Sequence, residues 1–286
     1  MEKLLPDQLK GLWQAVVQQE LTADEFARRQ EGLLAEYAKT WTQALLIEGY
    51  ADLQESLLAE IGQYVGCTDI GELQRRCQQA VPHVRQEWQQ QVNPGDPRSI
   101  AQFYDASHAM LYELMWWHTL CDDASPLAYV TALHFAQQHG CRSSLDFGSG
   151  VGSGAILFRR HGFPVTLADI SSRLLRFCQW RLGERQLAAD YIDLNILALP
   201  SQAFDLITAM DVFEHLVDPI GTVEQLWEVL QPGGFLFARI DAQPDEERPQ
   251  HIVHDFGPTF DRMQELGFVQ VWRDEWLWGH QVFKKT

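Results

Sequence analysis

The stretch Leu145-Asp146-Phe147-Gly148-Ser149-Gly150-Val151-Gly152-Ser153-Gly154-Ala155 constrains this chain more than any other. An apolar strand end, Ser144 to Phe147, runs into glycines at alternate positions, and a helical pattern follows from Ala155 to His161. Glycine at a strand-to-helix turn permits positive φ and lets a ligand come close to the backbone. The N–H groups at the helix start can then receive an anionic or polar ligand group.

Two ligand classes use such a turn. Gly150-Val151-Gly152-Ser153-Gly154-Ala155 fits the dinucleotide pattern G-x-G-x-x-G/A. Asp146 argues against a dinucleotide. A carboxylate at the strand tip repels a pyrophosphate and holds a cation. S-adenosylmethionine (SAM), with its sulfonium and α-amino group, is such a cation.

Asp146-Phe147-Gly148-Ser149-Gly150-Val151-Gly152 resembles the first motif of the class I SAM-dependent methyltransferases, D/E-x-G-x-G-x-G. Leu167-Ala168-Asp169-Ile170-Ser171 is similar to that family's second strand with its acidic end. Phe204 to Leu216, containing Met210-Asp211-Val212-Phe213-Glu214-His215, resembles its fourth strand and following turn, and Leu230-Gln231-Pro232-Gly233-Gly234 the turn before its fifth. The resemblance covers about residues 141–286. It implies a Rossmann-like α/β fold with a seven-stranded, mostly parallel sheet closed by a C-terminal antiparallel hairpin. It also implies SAM as cofactor.

Composition narrows the acceptor. The net charge is −17, and both halves of the chain are acidic. Nucleic acid binding needs a basic stripe to neutralise phosphates, and none is visible, so the expected acceptor is a small molecule. Anionic membrane binding is disfavoured for the same reason. No run approaches the roughly 18 apolar residues that span a bilayer, and Met1 to Pro6 carries no signal-peptide core. Cys67, Cys77, Cys121, Cys141 and Cys178 are scattered, without C-x-x-C spacing. They read as reduced thiols of a cytoplasmic protein.

Residues 7–92 read as helices. Thr22-Ala23-Asp24-Glu25 is a capping-box signature, Gly49 a break, Gly66 an end, and Thr68 or Asp69 a further cap. Asn93-Pro94-Gly95-Asp96-Pro97 concentrates turn chemistry. It divides an all-α N-terminal segment, 1–95, from a catalytic domain, 96–286. Three roles are open to the first segment: a bundle packed on the catalytic domain, a homodimer surface, or a substrate-selecting cover. Ser99 is the expected cap of an aromatic amphipathic stretch from Ile100 to Leu120, and Pro126 starts a helix that runs to about Gln138. Strands are expected at 143–147, 164–168, 190–194, 204–210 and 234–240, with helices near 153–161, 171–183 and 220–230. That alternation argues a parallel sheet covered on both faces. Phe260 to Leu266 reads as a helix, with strands from Phe268 to Trp276 and His280 to Lys284.

Candidate residues follow from the resemblance. Asp146, Gly148, Gly150 and Gly152 belong to the first motif. Asp169 would accept the ribose hydroxyls, with Ile170 packed on the adenine. Asn195, or Asp193, would meet the adenine amino group. Asn195 stands where the family has an acid. Met210 and Asp211 would face the methionine end. Tyr104, His108, Tyr112 and Trp116 are candidates for the substrate pocket, their alternative being a core stripe. His251 or His254 is the candidate general base, since an imidazole titrates near neutrality; His215 is a further catalytic candidate, which the resemblance sets near the methyl donor, its alternative being a structural histidine that caps the turn. The pair His251/His254 carries no metal expectation, for lack of a third ligand at helical spacing. The expected reaction is methyl transfer to oxygen, nitrogen, carbon or sulfur of a small metabolite. The alternatives are SAM-fold chemistry other than methylation, or a non-catalytic partner subunit.

Overall fold

The computed structural model describes residues 4–93, 95–120, 125–240 and 248–286. Residues 241–247 lie outside them, as do Pro94 and Cys121. Eight helices come first: α1 (Gln8–Val17), α2 (Ala23–Leu33), α3 (Ala35–Leu45), α4 (Leu53–Val65), α5 (Ile70–Gln78), α6 (Ala80–Gln91), α7 (Pro97–Ala106) and α8 (Ala109–Trp117). A short 3₁₀ turn and α9 (Ala128–Gln138) lead into the sheet. The rest alternates: β1 (Ser144–Phe147), α10 (Ser153–Arg160), β2 (Val165–Asp169), α11 (Ser172–Glu184), β3 (Asp190–Asp193), β4 (Phe204–Ala209), α12 (Pro219–Val229), β5 (Leu230–Ala238), α13 (Gly257–Leu266), β6 (Phe268–Arg273) and β7 (Gln281–Lys285).

Local chemistry explains most boundaries. Thr22 and Glu25 form the reciprocal capping box. Gly66 ends α4 in the left-handed region, and Asp69 caps α5 by accepting from the Glu72 amide. Three expectations shift. The cap of α7 is Asp96, which accepts from the Arg98 amide, while Ser99 donates to the Asn93 and Asp96 carbonyls. The aromatic stretch also breaks into α7 and α8 at Ser107-His108, where the Ser107 side chain accepts from the Met110 amide. Near the C-terminus β6 stops at Arg273 rather than Trp276. The buried Asp274 carboxylate takes the amides of Trp276, Leu277 and Trp278 at 2.7–3.0 Å and folds the connection into a turn.

The sheet order is β3-β2-β1-β4-β5-β7-β6. β1 to β5 pair in parallel; β7 pairs antiparallel with both β5 and β6. Strands buried on both faces explain the near-continuous apolar runs. Alternation sends Leu145, Phe147, Ile207 and Ala209 to the face covered by α12 and α13. Leu167, Leu206 and Met210 go to the face covered by α9 and α10. Asp146 and Thr208, partners in the β1–β4 register, share that second face. Strand order reverses between β1 and β4, and ligands of open α/β sheets bind at the carboxyl ends of the strands at such a point.

The first helices share their cores with the rest. Trp41, Ala44 and Leu45 of α3 pack with Leu133, Ile156 and Leu157. Leu57, Leu58 and Ile61 of α4 pack with Met115, Val151 and Phe177, and Val84 and Trp88 of α6 with Phe103 and Tyr104.

Candidate active site

A cavity of about 240 Å³ opens at the switch point, between the strand ends and helices α7–α9. The glycines after β1 shape it by two means. Gly148 and Gly150 lie on its wall in the left-handed region, φ +68° and +52°. Gly154 lies on the wall too, and it and Gly152 also serve packing. A Cβ on Gly152 would stand 3.0 Å from Cys178 Sγ, and one on Gly154 would stand 2.1 Å from the Tyr129 ring. Tyr129 is stacked on Trp41 and cannot retreat. Gly154→Ala is therefore expected to destabilise the fold by about 1–3 kcal/mol, measurable by urea unfolding.

Asp169 ends β2 on the cavity wall. Its Oδ2 accepts from the Gly150 amide at 2.9 Å and its Oδ1 from the Ser171 amide at 2.8 Å. A carboxylate has about four acceptor sites, so capacity remains for a ligand. Burial raises its carboxyl to about 6 against the pull of those amides. Ile170, Leu194, Met210 and Asp211 also line the cavity. Asp211 takes φ +52°, uncommon outside glycine, and pairs with Arg239 at 2.9 Å. Burial pushes its carboxyl up, but His118, Arg239 and His280 outweigh that and hold it near 2.

Asp146 does not itself line the cavity. It is 3% exposed, with Oδ1 accepting from Thr208 Oγ1 at 2.9 Å and from the Tyr129 hydroxyl at 3.2 Å. Among the described residues its Oδ2 has no hydrogen-bond partner. Burial raises this carboxyl to about 7, the two hydroxyls notwithstanding. A buried carboxylate oxygen without a donor, behind a wall shaped by glycines, fits a ligand bearing an ammonium group.

The far side of the cavity is polar. His215 Nδ1 lies 3.0 Å from the Gln250 carbonyl, to which it must donate, so Nε2 keeps its lone pair. Burial, then the neighbouring His251, lowers its pKa to about 3. The two imidazoles stand 4.9 Å apart, and Tyr104 packs edge-on to His215 at 6.0 Å. The Tyr104 hydroxyl is buried without a hydrogen-bond partner among the described residues. Glu113 is buried in the wall and its carboxyl is raised, first by burial. Glu214, His215 and His251 bring one ligand atom each within 4.8 Å of the others, close enough to hold a metal ion. That trio uses His251 without His254.

Several expected residues stand elsewhere. Asp193 accepts from Ser172 Oγ at 2.6 Å, and Asn195 donates to the Ile170 carbonyl. Asp193 ends the edge strand β3 and Asn195 follows it, both off the wall, and Leu194 between them takes the place on it. His254 is exposed. Trp116 is buried against the α4 side of the molecule. His108 and Tyr112 border a second, outer cavity with Arg75 and Arg76, whose Arg76 donates to the Tyr112 hydroxyl at 3.1 Å. The break at Ser107-His108 separates α7 from α8, and His108 and Tyr112 lie on the outer cavity rather than the inner one. Reading by motif passed over Tyr129, Glu113, Arg239 and Gln250. For Glu113 a signal exists, a lone acid inside Ala109 to Trp117. The others carry none.

Residues 145–238 match a family described as a methyltransferase domain. A ubiquinone biosynthesis O-methyltransferase of Albidiferax ferrireducens is 32% identical over 151 residues, which are 50% of this chain and 57% of that protein. The enzyme of the same description from Coxiella burnetii is 29% identical over 149 residues, 50% of this chain and 61% of its own. The chain thus spans less than two thirds of the length of these relatives. Among solved structures, the PH0226 protein from Pyrococcus horikoshii OT3 is 17% identical with a TM-score of 0.46, covering 60% of this chain and 92% of its own.

Residues 145–238 thus have the sequence of a methyltransferase domain, built on the sheet β3-β2-β1-β4-β5-β7-β6. Among the described residues, no helix is long and apolar enough to cross a membrane.

Proposed function

We propose that this protein transfers a methyl group from SAM to a hydroxyl oxygen of a small molecule, with His215 as general base. The observation that carries the reading is the fixed tautomer of His215. Its Nδ1–H is held by the Gln250 carbonyl, and Nε2 is left as an acceptor in the cavity wall. An oxygen acceptor is also supported by the two relatives, both described as O-methyltransferases.

SAM supplies an electrophilic methyl on a sulfonium, and the protein's task is alignment and exclusion of water. Asp169 would take the ribose hydroxyls, with Ile170 and Leu194 against the adenine. Asp146, buried behind Gly148 and Gly150, would draw the α-amino group to that wall by its charge. Asp193 and Asn195 would act one step removed, by shaping the loop that carries Leu194. Tyr104 and Glu113 would face the acceptor. An oxygen taking up a methyl cation becomes strongly acidic, so a base as weak as His215 suffices to remove its proton. Scattered free cysteines support a cytoplasmic setting. The apolar faces of the first helices are used inside the chain, which supports a role within the protomer.

The test is release of S-adenosylhomocysteine from a panel of hydroxylated metabolites, with mass detection of the methylated product. A product methylated on nitrogen or carbon alone would contradict the oxygen reading.

The raised carboxyl of Asp146 gives a pH prediction. Its folded pKa, about 7, exceeds the unfolded value of 3.8, so between these the native state binds the extra proton. Asp146 therefore favours the fold as pH falls through 7, and this contribution is lost as pH rises. Binding of a cation has the opposite sign, because it needs the ionised carboxylate. SAM affinity is expected to fall by about tenfold per unit below that pKa, and Asp146→Asn to flatten both trends. Calorimetry and urea unfolding between pH 5.5 and 8 measure them. Parallel trends in wild type and variant would refute the assignment.

A further inference from the structure

We infer that the helices before the sheet clamp the glycine-rich turn, and that Glu60 and Trp41 set cofactor affinity through it without touching the cavity. The inference rests on the cavity being the SAM site. Two routes reach the turn. In the first, Glu60 of α4 is 2% exposed and accepts from Arg181 Nε at 2.9 Å and from Arg185. Arg181, 1% exposed, donates through Nη1 to the Val151 carbonyl and to Ser153 Oγ, each at 2.8 Å. Val151 and Ser153 both line the cavity; Glu60, Arg181 and Arg185 do not.

In the second, Trp41 of α3 donates from Nε1 to the Thr119 carbonyl at 2.8 Å. Thr119 Oγ1 meets Ser153 Oγ at 2.7 Å. Trp41 also stacks on Tyr129, which holds Asp146. Ser153 is therefore gripped from both sides, by Arg181 and by Thr119, and each grip is anchored by an early helix.

Charge makes the first route obligatory. A buried guanidinium needs a countercharge and satisfied donors. On α11 Arg181 has the turn's carbonyl and hydroxyl as acceptors, neither of them charged. The carboxylate comes from α4, so docking α4 and fixing the turn are one event. Linkage then runs in both directions: a ligand that needs the fixed turn must also stabilise α4.

The experiment is calorimetric titration with S-adenosylhomocysteine of wild type, Trp41→Phe, Glu60→Gln and, as control, Glu72→Gln on the exposed side of α5. Trp41→Phe keeps a ring on Tyr129 and loses one hydrogen bond, and is expected to weaken binding by about three- to tenfold. Glu60→Gln is expected to weaken it by about tenfold or more, and Glu72→Gln to leave it unchanged. Amide exchange on wild type covers the case in which Glu60→Gln fails to fold. Saturating ligand should slow residues 53–65 more than 219–229, although neither segment lines the cavity. Unchanged affinity in a folded Trp41→Phe, or equal protection of the two segments, would reduce these helices to packing and overturn the inference. Wild type that binds no S-adenosylhomocysteine would overturn the cofactor reading itself, and the clamp with it.

Discussion

Replacing His215 by asparagine is expected to lower kcat by about 10²–10⁴-fold, the range that one general base contributes. Asparagine can still donate from its amide to the Gln250 carbonyl, so the local fold is kept while the acceptor nitrogen is lost. S-adenosylhomocysteine affinity should stay within about twofold, because the loss is confined to the transition state. The pH dependence separates this role from a structural one. Burial and the adjacent His251 hold His215 near 3, so it is neutral across the working range. No limb near the ordinary imidazole value should come from it, and acidification from pH 8 to 6 should act through Asp146 and Asp169, whose carboxyls are raised to about 7 and about 6. If the variant turned over at the wild-type rate, the base would lie elsewhere, with His251 next on the wall.

Replacing Asp169 by alanine is expected to weaken SAM binding by about 10²–10⁴-fold, as befits two charge-assisted hydrogen bonds to a ribose. The loss has a second source. Asp169 also takes the amides of Gly150 and Ser171, so its removal frees the turn as well as the ribose contact. Asp169→Asn keeps one acceptor oxygen and should lose less. A drop equal in both variants would mean that charge, not acceptor geometry, holds the ligand.

The sheet was legible because its strands announce themselves by short apolar runs between turn residues, and the glycine pattern names the first turn. Helix breaks at Gly49 and Gly66 were legible because left-handed φ is cheap only for glycine. What escaped depends on tertiary contact. The end of β6 is decided by the Asp274 carboxylate capturing three amides, and no period in the sequence records that. His108 and Tyr112 share a helical stripe with aromatic neighbours, but a two-residue break interrupts it and both lie on the outer cavity. Tyr129 belongs to a helix whose sequence reads as ordinary core, and its role comes from strand alternation that aims Asp146 at it. Glu60 and Arg181 are 121 residues apart, and each alone reads as a surface charge.

The central claim is that the cavity at the switch point is a SAM site held by Asp169. Calorimetric titration of the wild-type protein with SAM, S-adenosylhomocysteine and NAD tests it most directly. Binding of the first two at about micromolar Kd, with NAD silent, is the result expected. Absence of binding by both sulfur nucleosides, or binding of NAD in their place, would contradict it.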